Sequence, residues 1–176
     1  MIFEKFLERV AKLFQATKIS YMLVGGFAVA YWGYPRQSMD IDLVVDLKKD
    51  NIDGFLIKAD KMGFVYNKSE VEEIVRIGNR FVLELDDFRI DCWLPKSWFE
   101  KYTFGQRKNR KVFGQRIYII SPEDLILSKI LAGRSRDFED IKTVVFRQGK
   151  KLNKGYLKGQ AKTLNVAEQL AGVMQK

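Results

Sequence analysis

Histidine is absent from this chain, and cysteine and proline are scarce. The 176 residues include no His, one Cys and three Pro. Without histidine the chain has no Ser-His triad, no histidine-based acid–base catalysis and no His-zinc site. The single cysteine, Cys92, excludes an intramolecular disulfide and indicates a reducing compartment. Any catalysis must therefore use carboxylates, Lys, Tyr or a metal ion.

Long apolar runs are also missing. Residues 1–14 alternate charged with apolar side chains, and no later run reaches the length of a transmembrane helix. We therefore expect a soluble, cytoplasmic protein with no membrane partner.

Hydrophobic and basic residues are abundant. Hydrophobic residues make up 47% of the chain and include thirteen Phe, which is enough for a sizeable core. Lys and Arg number 31 against 22 Asp and Glu, a formal charge of +9. That excess favours polyanionic partners such as nucleic acid or other phosphates, although a solvated basic surface explains it nearly as well.

Hydrophobic periodicity predicts an α/β (α+β) fold, with a mixed β-sheet flanked by helices. Helices are predicted over 2–17, 27–32, 52–62, 95–102, 121–131, 135–148 and 164–174. Strands are predicted over 21–24, 41–45, 75–85 and 88–93, with a further hairpin or strand over 112–120. The basic segment 150–163 is interpreted as a linker. We expect an α/β core over residues 1–120 and a C-terminal helical segment over 121–176, packed on the core.

Two glycines follow the first predicted strand. Gly25 and Gly26 separate the apolar run 21–24 from a predicted helix. Glycine lets the backbone approach a ligand closely, and a helix N-terminus offers N–H groups to phosphate. Taken alone, the pair is better explained by a tight strand-to-helix turn.

An acidic pair stands at the start of the second predicted strand. Alternate residues of a strand share a face, so Asp40 and Asp42 project together while Ile41 points into the core. Neighbouring carboxylates repel each other, and oxygen ligands of this kind suit Mg²⁺. The alternative is an exposed strand edge with solvated acids.

A third acid lies within the apolar run 88–93. Asp91 is flanked by Ile90 and Cys92, which point to the opposite face of the predicted strand. On a neighbouring strand, Asp91 would complete a two-metal site and accept a proton from an attacking hydroxyl. Asp86 and Asp87 are weaker candidates because they fall at a predicted turn.

These segments together resemble a known superfamily. The run LVGGFAVAYWGYPRQSMDIDLVV is similar to the first motif of nucleotidyltransferases of the DNA polymerase β type, and Asp91 in RIDCW matches their third carboxylate. The stretch SPEDLILSKILAGRSRDFEDI resembles minimal standalone prokaryotic members, including the AbiEii-like toxins of toxin–antitoxin systems. The resemblance covers roughly residues 20–145, and it departs from many members in having Gly26 where they have Ser.

The resemblance implies a nucleotidyltransferase fold and a Mg²⁺-dependent reaction, with Mn²⁺ as a substitute metal and an NTP such as ATP as substrate. It implies Asp40, Asp42 and Asp91 as catalytic metal ligands. A second group completes the implied site: Gly25, Gly26, Arg36 and Lys129 bind the nucleotide, while Arg134, Asp137 and Asp140 support them. An NMP would pass to a hydroxyl of an RNA or tRNA end, a protein or a small molecule.

The sequence is compatible with more than one kind of partner. A basic segment interleaved with Phe104 and Phe113 suits an RNA or DNA backbone, or is a solvated hairpin; its charges are Arg107, Lys108, Arg110, Lys111 and Arg116. Two further interpretations are a non-catalytic module that holds nucleotide or nucleic acid, and a toxin component silenced by an antitoxin-like protein.

Overall fold

The computed structural model describes residues 3–35 and 40–174. Its α-helices in this part of the chain are α1 (Phe3–Thr17), α2 (Gly25–Trp32), α3 (Ile52–Lys61), α4 (Lys68–Ile77), α5 (Trp98–Gly105), α6 (Pro122–Ala132), α7 (Ser135–Gln148), α8 (Lys154–Thr163) and α9 (Ala167–Met174). Short 3₁₀ turns cover Lys49–Asn51 and Gly149–Lys151.

The strands form one mixed sheet, as the periodicity predicts. They are β1 (Tyr21–Val24), β2 (Asp40–Val45), β3 (Arg80–Leu85), β4 (Phe88–Trp93), β5 (Lys108–Val112) and β6 (Gln115–Ile119). Their spatial order is β3-β4-β2-β1-β6-β5. The β2–β4 and β1–β6 pairs are parallel, and the other three pairs are antiparallel. The acidic strand β2 is therefore central.

One face of the sheet carries the main hydrophobic core. Alternate residues of β2 and β4 point into it, and Ile41 and Ile90 are fully buried there. Aromatic rings bring α1 and α3 onto this face: Phe55 has its ring centroid 5.8 Å from that of Phe14 and 6.3 Å from that of Phe81. Because this face is covered by helices, the opposite face of the same strands remains for a site.

Residues 75–77 do not belong to a strand, so that part of the predicted strand 75–85 is wrong. They complete α4, whose N-terminus is capped by the Asn67 side chain accepting from the Glu70 N–H. Val71 is buried, and Ile74 and Val75 follow it on the same helical face. The residues at 71 and 75 are β-branched, a type that favours strands. Their spacing of four residues places them on one face of a helix, and residue type alone does not reveal that spacing.

The predicted linker over 150–163 is also wrong, because most of it is α8. Asn153 caps this helix by accepting from the Tyr156 N–H. Leu157 and Ala161, four residues apart, are buried, and α8 contacts α6. The linker was predicted from the basic, glycine-containing composition, which gives no weight to two apolar residues at helical spacing.

The C-terminal helices α6 and α7 pack against α2. The Trp32 carbonyl accepts a hydrogen bond from Gln148, and the Gly33 carbonyl accepts one from Arg147. These bonds place α7 beside the end of α2, and residues of α6 and α7 lie over the outward residues of β1, β2 and β4. Within residues 3–35 and 40–174, no helix combines the length and the apolar character needed to cross a bilayer.

Candidate active site

A cleft of about 970 Å³ opens on the sheet face opposite α1. Its floor includes the outward residues of β1, β2 and β4, among them Val24, Asp42 and Asp91. Its wall includes Lys129 of α6 and Asp137 of α7. The cleft therefore joins the central strands to the C-terminal helices, and most of the predicted site residues line it.

The turn from β1 into α2 is fitted around Asp42. Gly25 has φ +62°, a left-handed conformation that favours glycine, and a Cβ built there would lie 2.0 Å from Oδ2 of Asp42. The Gly26 N–H donates to the Asp42 carboxylate. Val24 offers no side-chain cap to the first turn of α2. The two glycines thus combine a close backbone approach with a helix N-terminus suited to anions.

The three predicted acids share one face of the sheet. In the parallel β2–β4 pair, Asp42 lies directly opposite Asp91, and Asp40 lies opposite Arg89. Asp40 is exposed, while Asp42 and Asp91 are half-buried in the cleft. The strand pairing that would bring Asp91 beside the acidic pair is therefore present.

Burial and neighbouring charges both act on the Asp42 carboxyl. Burial raises the pKa of its carboxyl, and the neighbouring charges of Asp91 and Asp40 raise it further. Hydrogen bonds from the Trp93 indole, at 3.2 Å, and from the Gly26 N–H act in the opposite direction. A divalent cation at this position would offset the mutual repulsion of the carboxylates.

Asp91 is held by two guanidinium groups. Arg80 Nη1 lies 2.9 Å from Asp91 Oδ2, and Arg89 Nε lies 2.9 Å from Asp91 Oδ1. Across residues 3–35 and 40–174 there is no group of three or more carboxylates or thiols placed to hold a metal ion as they stand. The donor chemistry of Asp40, Asp42 and Asp91 fits Mg²⁺. Use of all three carboxylates requires Asp91 to exchange its arginine partners for metal.

A buried charge cluster forms the helical wall of the cleft. Lys129 Nζ lies 2.8 Å from Asp137 Oδ1 and 2.7 Å from Asp140 Oδ2, and all three side chains are buried. Arg134 binds the same Asp137 through Nε at 2.7 Å, while its own side chain is 75% exposed. Burial alone would raise the pKa of Asp137, but hydrogen bonds from Arg134 and Lys129 outweigh it and lower that pKa to about 2.

Other predicted residues lie away from the cleft or outside the described residues. Arg36 belongs to residues 36–39, outside the described part of the chain. Arg107 packs against two aromatic rings of the same chain: its guanidinium lies 4.5 Å from the Phe104 ring centroid and 4.9 Å from that of Tyr118.

Sequence reasoning missed three cleft-side residues, Arg80, Arg89 and Trp93. A usable signal existed, since Arg89, Asp91 and Trp93 alternate along one strand and must share a face. Arg80 carries no such signal. It reaches Asp91 because β3 and β4 pair with Arg80 opposite Trp93.

A family profile matches most of the sequence that forms this site. The chain belongs to a nucleotidyltransferase family. The profile is described as nucleotidyltransferase of unknown function (DUF6036), and it matches residues 2–162. No curated protein sequence matches this chain. The family match agrees with the superfamily resemblance of the sequence motifs.

Solved structures share the fold at low sequence identity. The solution structure of the antibiotic-resistance factor ANT(2″)-Ia is 13% identical, with a TM-score of 0.59 over 96% of each chain. A nucleotidyltransferase-like protein from Paracoccidioides brasiliensis is 17% identical, with a TM-score of 0.58 over 98% of this chain and 91% of that one. The lincomycin-bound lincosamide adenylyltransferase LnuA is 17% identical, with a TM-score of 0.55 over 82% and 96%. These likenesses establish the nucleotidyltransferase fold.

Proposed function

We propose that this nucleotidyltransferase transfers an NMP from an NTP to an acceptor hydroxyl in a Mg²⁺-dependent reaction. The observation that carries the proposal is the direct pairing of Asp42 with Asp91 on adjacent parallel strands, beside the Gly25–Gly26 turn. This arrangement concentrates negative charge next to a helix N-terminus that favours phosphate. Metal, triphosphate and acceptor then have adjoining places within one cleft.

The residues have distinct roles in this proposal. Asp40 and Asp42 hold the metal ions, and Asp91 contributes a third carboxylate and accepts the proton of the acceptor hydroxyl. When bound, Mg²⁺ supplies the positive charge that stabilises the reacting phosphate and the departing pyrophosphate. The N–H groups at the start of α2 orient the triphosphate.

The cation that contacts the triphosphate is most accessible at Arg134. Lys129 lines the cleft, but its ammonium group is buried between Asp137 and Asp140. The Arg134 side chain is largely exposed and also lines the cleft. We therefore propose that Arg134 contacts phosphate, and the phosphate contact predicted for Lys129 stays a prediction.

Label transfer tests this function. Purified protein is incubated with α-labelled NTPs, Mg²⁺ and either total RNA or a protein extract. We expect label in one acceptor fraction, and we expect Asp42→Asn to reduce it at least about a hundredfold. Asp60→Asn, at an exposed position on α3, is the matched control and should transfer normally. Equal transfer by the wild type and Asp42→Asn would refute the proposal.

One observation favours a second candidate, a non-catalytic module that holds nucleotide or nucleic acid. Both oxygens of Asp91 are engaged by arginines, so that carboxylate already has protein partners. Thermal stability separates the two. A melting temperature raised by Mg²⁺ with an NTP excludes a module that binds only nucleic acid, whereas a rise with RNA and none with Mg²⁺ and NTP supports that module; label transfer separates the enzyme from a module that holds nucleotide.

A further inference from the structure

The sheet order divides the cleft into a nucleotide side and an acceptor side. The Gly25–Gly26 turn follows β1, on one side of the acidic strand β2. Strands β4 and β3 lie on the other side of β2. On the proposed function, on which this inference rests, the triphosphate occupies the β1 side. The acceptor then approaches over β4 and β3.

The acceptor side presents two arginines and an indole. The Arg80 and Arg89 side chains are 34% and 42% exposed, and Trp93 is 40% exposed. The Arg80 guanidinium lies 5.4 Å from the Trp93 ring centroid. Trp93 also donates to Asp42, which fixes its ring next to the proposed metal site. A cationic and aromatic surface therefore adjoins the carboxylates.

Asp91 links this surface to metal binding. A carboxylate that turns to a metal ion, or to the acceptor hydroxyl, gives up its two guanidinium partners. Arg80 and Arg89 then each lose an anionic partner beside the place where the acceptor arrives. Glu84 is the cross-strand neighbour of Arg89 and remains as a second carboxylate for it. Arg80 should accordingly carry more of the binding.

The remaining acids of the cleft offer little to a cationic acceptor. Asp137 is bound by Lys129 and Arg134, and Asp140 is bound by Lys129. Glu100 accepts from the backbone N–H groups of residues 96 and 97 as part of a helix capping box. Carboxylates that would bind the ammonium groups of an aminoglycoside are thus already committed to partners within the chain.

We infer that the acceptor is the hydroxyl end of a single-stranded polynucleotide. Arg80 and Arg89 bind its backbone phosphates, and Trp93 stacks on a base near the end. Guanidinium groups match phosphate in charge and geometry, and exposed aromatic rings stack on unpaired bases without a sequence requirement. The formal charge of +9 assists the approach of such a polyanion.

Oligonucleotide binding, measured without NTP, tests the inference independently of activity. A fluorescent single-stranded oligoribonucleotide is titrated with protein in Mg²⁺, and its anisotropy gives the affinity. We expect Arg80→Gln to weaken binding roughly tenfold, with a larger loss for Arg80→Gln combined with Arg89→Gln. The double variant should also lower the slope of log affinity against log salt by about 1.4, or ~0.7 per phosphate contact.

Three further variants make this experiment specific. The exposed α8 residues in Lys158→Gln with Lys162→Gln match the charge change and should leave affinity within about twofold. Trp93→Phe should retain binding, because a phenyl ring still stacks, whereas Trp93→Ala should lose about tenfold. Arg80→Lys keeps the positive charge at position 80. It is the control that shows whether a variant at this position still folds.

Asp91→Asn gives the sharpest outcome. This variant releases both arginines without metal, so it should bind the oligonucleotide at least about threefold more tightly than wild type in EDTA. No increase, or equal losses for the α8 lysine variant and the Arg80 variant, would overturn the inference.

Acceptor comparison separates this inference from the proposed function. Wild-type protein with α-labelled NTPs is offered the oligonucleotide, the aminoglycoside tobramycin, or a protein extract. Label on the oligonucleotide supports the inference. Label only on tobramycin or protein overturns it and leaves the nucleotidyltransferase reaction in place. No label on any acceptor, with no stabilisation by Mg²⁺ and NTP, would refute the reaction itself.

Discussion

Gly25 and Asp42 occupy adjoining space so closely that a Cβ on the glycine would lie 2.0 Å from the carboxylate Oδ2. The contact joins the end of β1 to the centre of β2, at the place where the N–H groups of α2 begin. A side chain at position 25 would displace Asp42 and would also have to adopt φ +62°. The glycine therefore holds the shape of the acidic site.

Gly25→Ala should abolish nucleotidyl transfer while the protein remains folded. The methyl group overlaps the Asp42 carboxylate, and the left-handed backbone adds a cost of about 1 kcal/mol. Transfer of labelled NMP and thermal unfolding are the measurements. Gly54→Ala is the matched control, because Gly54 lies in α3 with no atom within 4 Å of an added Cβ. That variant should be fully active, and normal activity in Gly25→Ala would contradict the account.

Asp42→Asn should raise the melting temperature of the metal-free protein at neutral pH. Burial, Asp91 and Asp40 raise the pKa of the Asp42 carboxyl, so its ionised form disfavours the folded state. With the folded pKa above the unfolded one, wild-type stability falls as pH rises through that interval. The advantage of the variant should therefore shrink as pH decreases. Equal melting temperatures in EDTA at pH 7 would contradict a raised pKa of Asp42 in the folded protein.

Asp137→Asn should destabilise the fold by about 3 kcal/mol, because it removes one of the two carboxylates that compensate buried Lys129. The melting temperature should fall by roughly 6 to 12 °C for a chain of this size. Glu139→Gln on the same helix is the control. Glu139 pairs with Lys142 at an exposed position, and its loss should change the free energy of unfolding by less than about 0.5 kcal/mol. Similar effects for both variants would argue against a structural charge cluster.

Acid should weaken the wild type more than Asp137→Asn. The pKa of Asp137 is lowered from 3.8 to about 2 in the folded protein. Because the pKa of Asp137 is lower in the folded state than in the unfolded state, its ionisation stabilises the protein at pH values above the unfolded-state pKa. This contribution is lost as pH falls from about 4 to 2. The loss amounts to about 2 kcal/mol. Urea unfolding at several pH values measures it, and parallel curves for the two proteins would count against the assignment.

The central strands and their acids could be predicted from sequence because the evidence is local. Strand β1 was predicted at its observed bounds, and alternation along β2 and β4 placed Asp40, Asp42 and Asp91 on outward faces. The three carboxylates come together only because β2 and β4 are adjacent in the sheet. Strand order depends on the whole sheet, so no single segment of the sequence predicts it.

Other features depend on contacts between distant segments. The partners of Lys129 lie eight and eleven residues later on a second helix, so its burial between two aspartates depends on how α6 packs against α7. The ion pair between Arg80 and Asp91 depends on the β3–β4 register. Helix α8 escaped prediction because burial of Leu157 against the C-terminal helices outweighs a basic, glycine-containing sequence.

The central claim is that Asp40, Asp42 and Asp91 form the metal site of a nucleotidyltransferase. A crystal soaked with Mn²⁺ and a non-hydrolysable NTP tests it most directly, since the anomalous signal locates the metal. We expect Mn²⁺ within about 2.5 Å of carboxylate oxygens of Asp40 and Asp42, with Asp91 turned from its arginines toward the metal. Mn²⁺ bound elsewhere, with the Arg80–Asp91 ion pair intact, would contradict the account.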